Sequence, residues 1–409
     1  MSLVEEEVPT RPAPALSVRI LTTPEEVRAL APQWVMLAPG RSALPEEFLE
    51  EIEAVPTVLA PRVFAAFRGD TLCALLVGRV DIAEYRLWIA RRRIWTFRLR
   101  SLTVVDGGAL RRSPDVPWEP LIRAVVEDVR RGDVIAAQFT RVDCQSPLLD
   151  ALRVVVPRLW RDETQGPWVQ WQLDLPDTYG ELLKRVSRHT RKHFRRWRER
   201  LEERFPGRLA VRRIGRPEEV PDFCRRADGI ARRTYQRGMG AGFFHDSTTE
   251  RILTAAARRG TLKAYLLEAE DRVLAFWCLI RRGNTLYAEF TAYDREFREF
   301  DPGTVLFLEV LQDAVRDGVE RIDYGLGDLQ YKRRFDATRR MVRDVVAFRP
   351  GARSLWIHVC GAAFQWIARG AQAAIRSLGS EGAYRRLARW VGRKRNPLAK
   401  PTNAGDASD

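Results

Sequence analysis

The sequence predicts an α/β protein (α+β in some classifications) with two tandem mixed-sheet halves joined by a long basic helix. Short apolar runs typical of strands alternate with helical patterns along most of the 409 residues. The order strand–turn–strand, then strand–helix–strand, occurs twice, at a period of roughly 190 residues. Between the two copies, the stretch from Glu181 to Phe205 contains no Gly or Pro and is rich in basic residues.

The first half follows residues 1–16, an acidic and Pro-rich segment that we expect to be a flexible tail. Pro24 and the two glutamates after it mark a helix start, and Gly132 marks a helix stop. The predicted elements are a strand at 18–22, a helix from 24, strands on both sides of a turn at 69–70, a helix at 118–133 and a strand at 134–142.

The second half repeats this order. Turns at Glu270–Asp271 and Gly283–Asn284 separate three strands, Pro302 starts a helix that Gly318 ends, and VERIDYGLG follows as a strand. The predicted domains are a tail (1–16), an N-terminal half (17–170), a C-terminal half that includes the basic helix 181–205 (171–350), and a basic helical extension with a disordered end (351–409).

The charge is strongly basic, with 69 Lys plus Arg against 54 Asp plus Glu and a net charge of +15. Nine residues between Lys184 and Arg200 are basic and only Glu199 is acidic. This segment is compatible with RNA, an anionic membrane surface or a phosphorylated substrate, and equally with a solvated polar face. Its candidate anion-binding residues are Arg188, Arg191, Lys192 and Arg195.

Several function classes lack their motifs. The five cysteines are scattered without a C-x-x-C pair, so we expect buried thiols, and His189 and His193 lack a third ligand for a metal. No nucleophile elbow, P-loop or H-E-x-x-H motif occurs. No apolar run of 18 residues and no signal peptide is found, which predicts a cytoplasmic protein, with peripheral membrane contact as an alternative.

Two segments carry residues suited to chemistry. In TLYAEFTAYD, the residues Glu289, Thr291 and Tyr293 alternate along one face of a strand. The helix that starts at Pro302–Gly303–Thr304 offers free backbone N–H groups to an anion. In IDYGLGDLQYKRRFDA, the residues Tyr324, Tyr331 and Lys332 follow an apolar strand, and Lys332 is one of only six lysines.

The order of these segments resembles a known family. The basic helix SRHTRKHFRRWRERLEER, the strands LKAYLLEAEDRVLAFWCLI and LYAEFTAYDREF, the PGT-led helix and IDYGLGDLQYKRRFDA look like GNAT-superfamily acyltransferases. The resemblance is to their cellulose-biosynthesis-associated branch, close to the Fem-type aminoacyltransferases. It is best over residues 170–350 and fainter over 17–165, and it implies two tandem GNAT-like domains of which the second is catalytic.

The resemblance implies an acyl-CoA donor, typically acetyl-CoA, a primary amine acceptor and no metal. The thioester would lie along Thr291 and Tyr293, and the pyrophosphate would meet Arg298, Gly303 and Thr304. The family pattern has Gly where this chain has Asp301, and an acid there is unfavourable for a pyrophosphate. An aminoacyl-tRNA donor is therefore an alternative.

The chemistry needs a base for the amine, an acid for the leaving group and donors for the oxyanion. Glu289 is the candidate base and Tyr324 the candidate acid. Lys332 is assigned to the oxyanion or, with Tyr331, to an anionic acceptor. The other hypothesis is a non-catalytic GNAT-fold module that binds nucleic acid or an anionic membrane through its basic helices, including the segment after Leu355.

Overall fold

The computed structural model describes residues 15–37, 44–89, 92–164, 166–233, 242–328 and 330–361. The helices are α1 (Pro24–Leu37), α2 (Pro45–Ala54), α3 (Glu119–Arg131), α4 (Pro147–Val155), α5 (Tyr179–Lys184), α6 (Arg188–Arg204), α7 (Val220–Ala231), α8 (Ser247–Arg258), α9 (Pro302–Arg316) and α10 (352–361). Most of the predicted tail and of the C-terminal extension lies outside the described residues.

The strands form one mixed sheet. They are β1 (Leu16–Leu21), β2 (Val58–Arg68), β3 (Thr71–Ile89), β4 (Arg92–Arg111), β5 (Ala136–Asp143), β6 (Arg161–Asp162), β7 (Trp168–Asp174), β8 (Leu209–Ile214), β9 (Leu262–Ala269), β10 (Arg272–Arg282), β11 (Thr285–Tyr293), β12 (Arg321–Leu326) and β13 (Thr338–Phe348). Their order across the sheet is β1-β2-β3-β4-β5-β13-β7-β12-β11-β10-β9-β8, with β6 on β13.

The predicted repeat is visible in the sheet. The pairs β4–β5 and β11–β12 are parallel, and each is linked by one helix, α3 or α9. Leu102 and Phe139 lie in one core cluster with residues of α3, and Leu286 and Tyr324 lie in another with residues of α9. Leu286 follows Leu102 by 184 residues, and Tyr324 follows Phe139 by 185. Each half therefore presents the same strands to the same helix, as expected for a duplicated fold.

The two halves exchange strands at the centre of the sheet. Strand β7 follows α4 of the first half but pairs with β12 of the second half. Strand β13 follows β12 but pairs with β5 of the first half. The two exchanged strands also pair with each other, from Thr338 opposite Gln172 to Val342 opposite Trp168. The expected domain boundary at 170/171 falls inside β7.

A buried polar network fixes this exchange. Asp323 of β12 is only 3% exposed, and its carboxylate accepts hydrogen bonds from the Nε2 atoms of Gln170 (2.6 Å) and Gln172 (2.9 Å) of β7. The Oε1 atom of Gln172 accepts from Arg340 of β13 (3.2 Å), which is also ion-paired with Asp143 of β5. The network therefore crosses four strands and both halves.

The predicted single basic helix at 181–205 is wrong in one respect, because it is two helices. Helix α5 ends at Lys184, and α6 begins after Ser187, whose hydroxyl accepts a hydrogen bond from the backbone N–H of Thr190 (3.1 Å). Arg191 closes the break by donating to the carbonyls of Leu183 (2.9 Å) and Val186 (3.1 Å). A serine is a strong N-cap, and here this preference outweighs the helix propensity of its neighbours.

Two further features concern thiols and membranes. All five cysteines are free, and Cys73, Cys224 and Cys278 are buried, in agreement with the expectation of buried thiols. Among the residues that the structure describes, no helix is long and apolar enough to cross a bilayer.

The exchange predicts that neither half is stable without the other. We expect fragments 1–175 and 176–409 to be unfolded when produced separately, because each leaves strand edges unpaired, and to regain structure when mixed. Urea unfolding of the intact chain, followed by circular dichroism, should show one transition. A fragment that unfolds cooperatively on its own, with the stability of the intact chain, would contradict the exchange.

Candidate functional site

Strands β11 and β12 separate in the second half. Their parallel pairing extends from Thr285 opposite Arg321 to Tyr287 opposite Asp323, although β11 continues to Tyr293. We call the space beyond this point the strand gap. Strand β11 also has a bulge at this level, because Cys278 and Leu279 of β10 pair with Phe290 and Ala288 and leave Glu289 as the extra residue. A bulge of this kind redirects a side chain and frees a backbone N–H group.

Glu289 stands beside the strand gap. Its carboxylate is 3.4 Å from the guanidinium of Arg282, which also covers the ring of Tyr287. The side chain is 32% exposed. Partial desolvation raises the pKa of Glu289; Arg282 and Arg141 oppose this shift, and Asp106 reinforces it. Glu289 is therefore a better proton acceptor than an ordinary surface glutamate.

Part of this environment comes from the first half of the chain. Asp106 and Arg141 form an ion pair at 3.0 Å, and burial raises the pKa of Asp106. Arg141 has a positive φ of 50°, and its backbone N–H donates to Asp344 of β13 at 2.8 Å. Asp106 lies in the excursion of β4 opposite Val77, and this excursion corresponds in the repeat to the bulge at Glu289.

A cleft of about 700 Å³ runs between the halves on this face of the sheet. Its lining is polar, and the charges are mostly paired, as in Asp106 with Arg141 and Asp143 with Arg340. Tyr287 and Asp323 line its end in the second half. The cleft can accommodate a polar molecule that carries both donors and acceptors.

Tyr324 projects to the other face. Its neighbour Asp323 faces the cleft, and successive side chains of a strand alternate, so Tyr324 lies under α9 against Phe307 and Tyr331. Its hydroxyl is buried without a hydrogen-bond partner among the described residues. Burial raises the pKa of Tyr324 well above its ordinary value, so this phenol stays protonated. The structure therefore places the two catalytic candidates Glu289 and Tyr324 on opposite faces of the sheet at one level.

Lys332 is buried, and its ammonium group is bound by backbone carbonyls. It is 2% exposed, and its Nζ atom donates to the backbone carbonyls of Tyr324 (2.9 Å), Gly325 (3.2 Å) and Leu326 (2.8 Å). Burial lowers the pKa of Lys332 to about 8, while Asp323 and Asp328 oppose this shift. Three acceptors use all three donors of the ammonium group, so none is left for an oxyanion or an anionic acceptor. Lys332 holds the end of β12 in place.

The start of α9 is more crowded than its sequence suggests. Asp301 takes the left-handed conformation, with φ of 43°, that Gly adopts at low cost in the family pattern. Arg334 neutralises it at 3.0 Å and also donates to the hydroxyl of Thr304 at 2.6 Å. The N–H groups of Thr304 and Val305 both donate to the carbonyl of Asp301. Among the residues that the structure describes, the N–H of Gly303 donates no hydrogen bond of this kind.

The other predicted donor-binding residues are distributed around this point. Thr291 donates its hydroxyl to the carbonyl of Phe276 at 3.0 Å. The ring of Tyr293 is 41% exposed and lies against Gly303, and Arg298 is exposed on the 3-10 helix Arg295–Phe300. The structure therefore brings Tyr293, Gly303 and Thr304 together, with Arg334 as a residue that sequence reasoning missed.

The predicted anion-binding residues of α6 divide into two groups. Arg191 is structural, as described above. Arg188, Lys192 and Arg195 are exposed, with no hydrogen bond or ion pair to another described residue. Their spacing of four and three residues places them on one side of the helix, which we call the basic face. Tyr331 is half-buried, and its ring packs edge-on against Trp277 and Tyr324. It is away from this face.

The role of Lys332 can be measured by stability. We expect Lys332→Met to lower the free energy of unfolding by roughly 2–5 kcal/mol, because three buried carbonyls lose their donor. The matched control is Lys263→Met, which removes a half-exposed ion pair to Asp317 and should cost about 1 kcal/mol or less. Equal losses in the two variants, measured by urea unfolding, would show that Lys332 does not hold the end of β12.

Comparisons with known proteins agree with this geometry. Residues 188–333 match the family model described as the acetyltransferase (GNAT) domain. The structure of FemX is similar, with a TM-score of 0.52 and 13% identity over 74% of this chain and 90% of that one. A tandem GNAT protein from the clavulanic acid biosynthesis pathway is similar with a TM-score of 0.50 and 14% identity, over 82% of this chain and 100% of that one.

No curated protein sequence matches the chain significantly. The structural likenesses, at these identities, concern the fold alone. The cellulose-associated branch stays a prediction. The family match covers α6, the bulge at Glu289, the start of α9 and Lys332. Residues 188–333 are therefore similar to a GNAT-type acetyltransferase domain, and the fold of the chain is similar to that of a tandem GNAT protein.

Proposed function

We propose that the chain is an N-acyltransferase that moves an acyl group, typically acetyl, from acyl-CoA to a primary amine by direct attack. The observation that carries this proposal is the strand gap between β11 and β12, with a carboxylate on one face and an unpartnered phenol on the other. Such a gap lets a donor approach from one face of the sheet and an acceptor from the other.

Glu289 is suited to the base. An amine is protonated near neutral pH and must lose a proton before it attacks a carbonyl carbon. Burial raises the pKa of Glu289, which brings its proton affinity closer to that of the amine than an exposed glutamate would allow. The proton moves to the Glu289 carboxylate, directly or through water, and the acyl–nitrogen bond forms as the acyl–sulfur bond breaks.

Tyr324 is suited to the acid on the donor face. A buried hydroxyl without an acceptor costs roughly 1–3 kcal/mol, and a ligand atom that accepts its hydrogen bond would recover this cost. A thiolate leaving through the strand gap is such an acceptor. The donor supplies an activated carbonyl with a thiolate leaving group, and Tyr324 would donate a hydrogen bond to that sulfur from a hydroxyl that its raised pKa keeps protonated.

The start of α9 fits the phosphates of this donor. Gly303 offers a free N–H, and Arg334 compensates the carboxylate of Asp301 within hydrogen-bond distance. The acceptor amine would enter from the cleft between the halves. There Arg141 is ion-paired with Asp106 and also lowers the pKa of Glu289. The paired charges of the cleft favour an acceptor with polar groups of both signs.

A second donor is favoured by two observations. Asp301 is a carboxylate at the very position where a pyrophosphate would bind, and the basic face of α6 presents three unpaired cations to solvent. Both features are compatible with an aminoacyl-tRNA, whose backbone would contact the basic face while its ester enters the strand gap. A non-catalytic binding module would show the same polyanion affinity without transfer.

The base assignment predicts a rate loss and a changed pH profile. We expect Glu289→Gln to lower kcat/KM for acyl transfer by roughly 10²–10⁴. In the unmodified protein, kcat/KM should rise with pH through a group whose pKa is raised above the ordinary glutamate value, since only the ionised carboxylate accepts a proton. The rise should be missing in the variant.

The matched control is Glu320→Gln, which removes another carboxylate of the cleft that accepts a hydrogen bond from Asn284 at 2.7 Å. It should keep the rate within about threefold and retain the rise with pH. Unchanged rates and pH profile in Glu289→Gln would exclude Glu289 as the base.

The donor can be identified by binding. Acetyl-CoA should bind with little dependence on salt, and replacing Arg188, Lys192 and Arg195 together by Gln should not change its affinity. If the donor is an aminoacyl-tRNA, calorimetry should show no acetyl-CoA binding, and the triple variant should reduce the salt slope of tRNA binding by about 2–3. Polyanion binding without transfer from either donor would favour the binding module.

A further inference from the structure

A second candidate site lies in a different part of the sheet, at β6 and β13. An open cavity of about 770 Å³ is lined by four arginines, two from α4 and the loop after it, one from β6 and one from β13. They are Arg153, Arg158, Arg161 and Arg343. Only two acids line the cavity, Asp162 and Glu163. We call this cavity the arginine pocket, and its lining carries an excess of two positive charges.

Glu163 is the centre of the arginine pocket. Its carboxylate accepts from Arg153 (3.0 Å), Arg161 (2.8 Å) and Arg343 (2.7 Å). Burial opposes its ionisation, but the arginines outweigh burial and hold the pKa of Glu163 below its ordinary value. Glu163 alone cannot neutralise three guanidinium groups, and the one further ion pair that these arginines make among the described residues joins Arg153 to Asp150 at 3.6 Å.

Free donors remain around this centre. The side chain of Arg158 is exposed, and it makes no ion pair or hydrogen bond to any residue that the structure describes. The Nε atom of Arg343 is buried without a partner. Arg161, in contrast, is already engaged by protein groups, because it also donates to the carbonyls of Arg153 and Val156. An incoming anion would therefore first meet the unpaired guanidinium of Arg158.

The backbone holds this arrangement in place. Strand β6 pairs with β13 through Arg161 and Asp162. Gly166 has a φ of 106°, and a side chain there would lie 3.0 Å from the Cβ atom of Arg343. Without one, the chain after Glu163 can lie against β13. Arg161 and Arg343 are thus positioned by two paired strands.

We propose that the arginine pocket binds a phosphate group, carried by a soluble metabolite or by a lipid headgroup. Guanidinium groups bind phosphate in a planar, bidentate manner, and a phosphate monoester carries up to two negative charges, which equals the excess in the lining. A single carboxylate would leave one charge unmatched. This proposal concerns another part of the sheet than the strand gap and does not rest on the acyltransferase assignment.

The test uses the full-length chain and two phosphate sources. Isothermal calorimetry measures inorganic phosphate, and flotation measures vesicles of phosphatidylcholine with phosphatidic acid, against vesicles of phosphatidylcholine alone. We expect binding of one or both sources, weakened about tenfold or more in Arg158→Gln. This variant removes an exposed side chain without internal contacts, so it should fold normally.

The matched control is Arg68→Gln, which removes the same charge from the exposed end of β2. It should leave binding unchanged. Binding of phosphate alone would identify a soluble ligand, and binding of phosphatidic acid vesicles alone would identify a lipid headgroup. Absence of binding to both sources at about 10 mM phosphate, or an equal loss in Arg158→Gln and Arg68→Gln, would overturn the proposal.

Discussion

The buried carboxylate of Asp323 is the interaction on which the arrangement of this protein depends. It is held by two glutamines of β7, a strand that the first half contributes to the second. A buried carboxylate is tolerated only where it is hydrogen-bonded, and removing one of its partners typically costs about 1–3 kcal/mol. The exchange of β7 and β13 is therefore a condition for β12 to have its observed position, since these glutamines are available only from the other half.

This position has consequences for the candidate site. Strand β12 carries Asp323 toward the cleft and Tyr324 toward α9, and Lys332 closes its end through three carbonyls. Asp323 and Lys332 thus both hold β12, which is one side of the strand gap. The bulge at Glu289 then places a carboxylate opposite the phenol across the sheet. Preorganisation of this kind is suited to a transferase whose main contribution is to hold two substrates in the orientation that the reaction needs.

Much of this could be predicted from sequence. The repeat and the helix start at Pro302 follow from periodicity and turn residues, which are local properties. Strand alternation predicted Glu289 on one face with Thr291 and Tyr293, but the bulge at Glu289 interrupts this alternation, and its assignment as the base stays a prediction. The helix break at Ser187 was missed because one side-chain cap outweighed a long run of helix formers. Lys332 is conspicuous in the sequence for its rarity, but its three carbonyl partners lie at the end of a strand that only the folded chain brings near. The strand exchange, Arg334 and Arg141 depend on pairing between distant segments, which no local pattern encodes.

We propose that the donor binds in the strand gap of the second half and not in the corresponding opening of the first. Hydrogen exchange of the backbone amides, with and without acetyl-CoA or an aminoacyl-tRNA, tests this claim most directly. We expect the true donor to slow the exchange of the backbone amides at residues 288–291 and 324–326. Protection confined to residues 104–110 and 140–142, where β4 and β5 separate, would place the donor in the first half and contradict it.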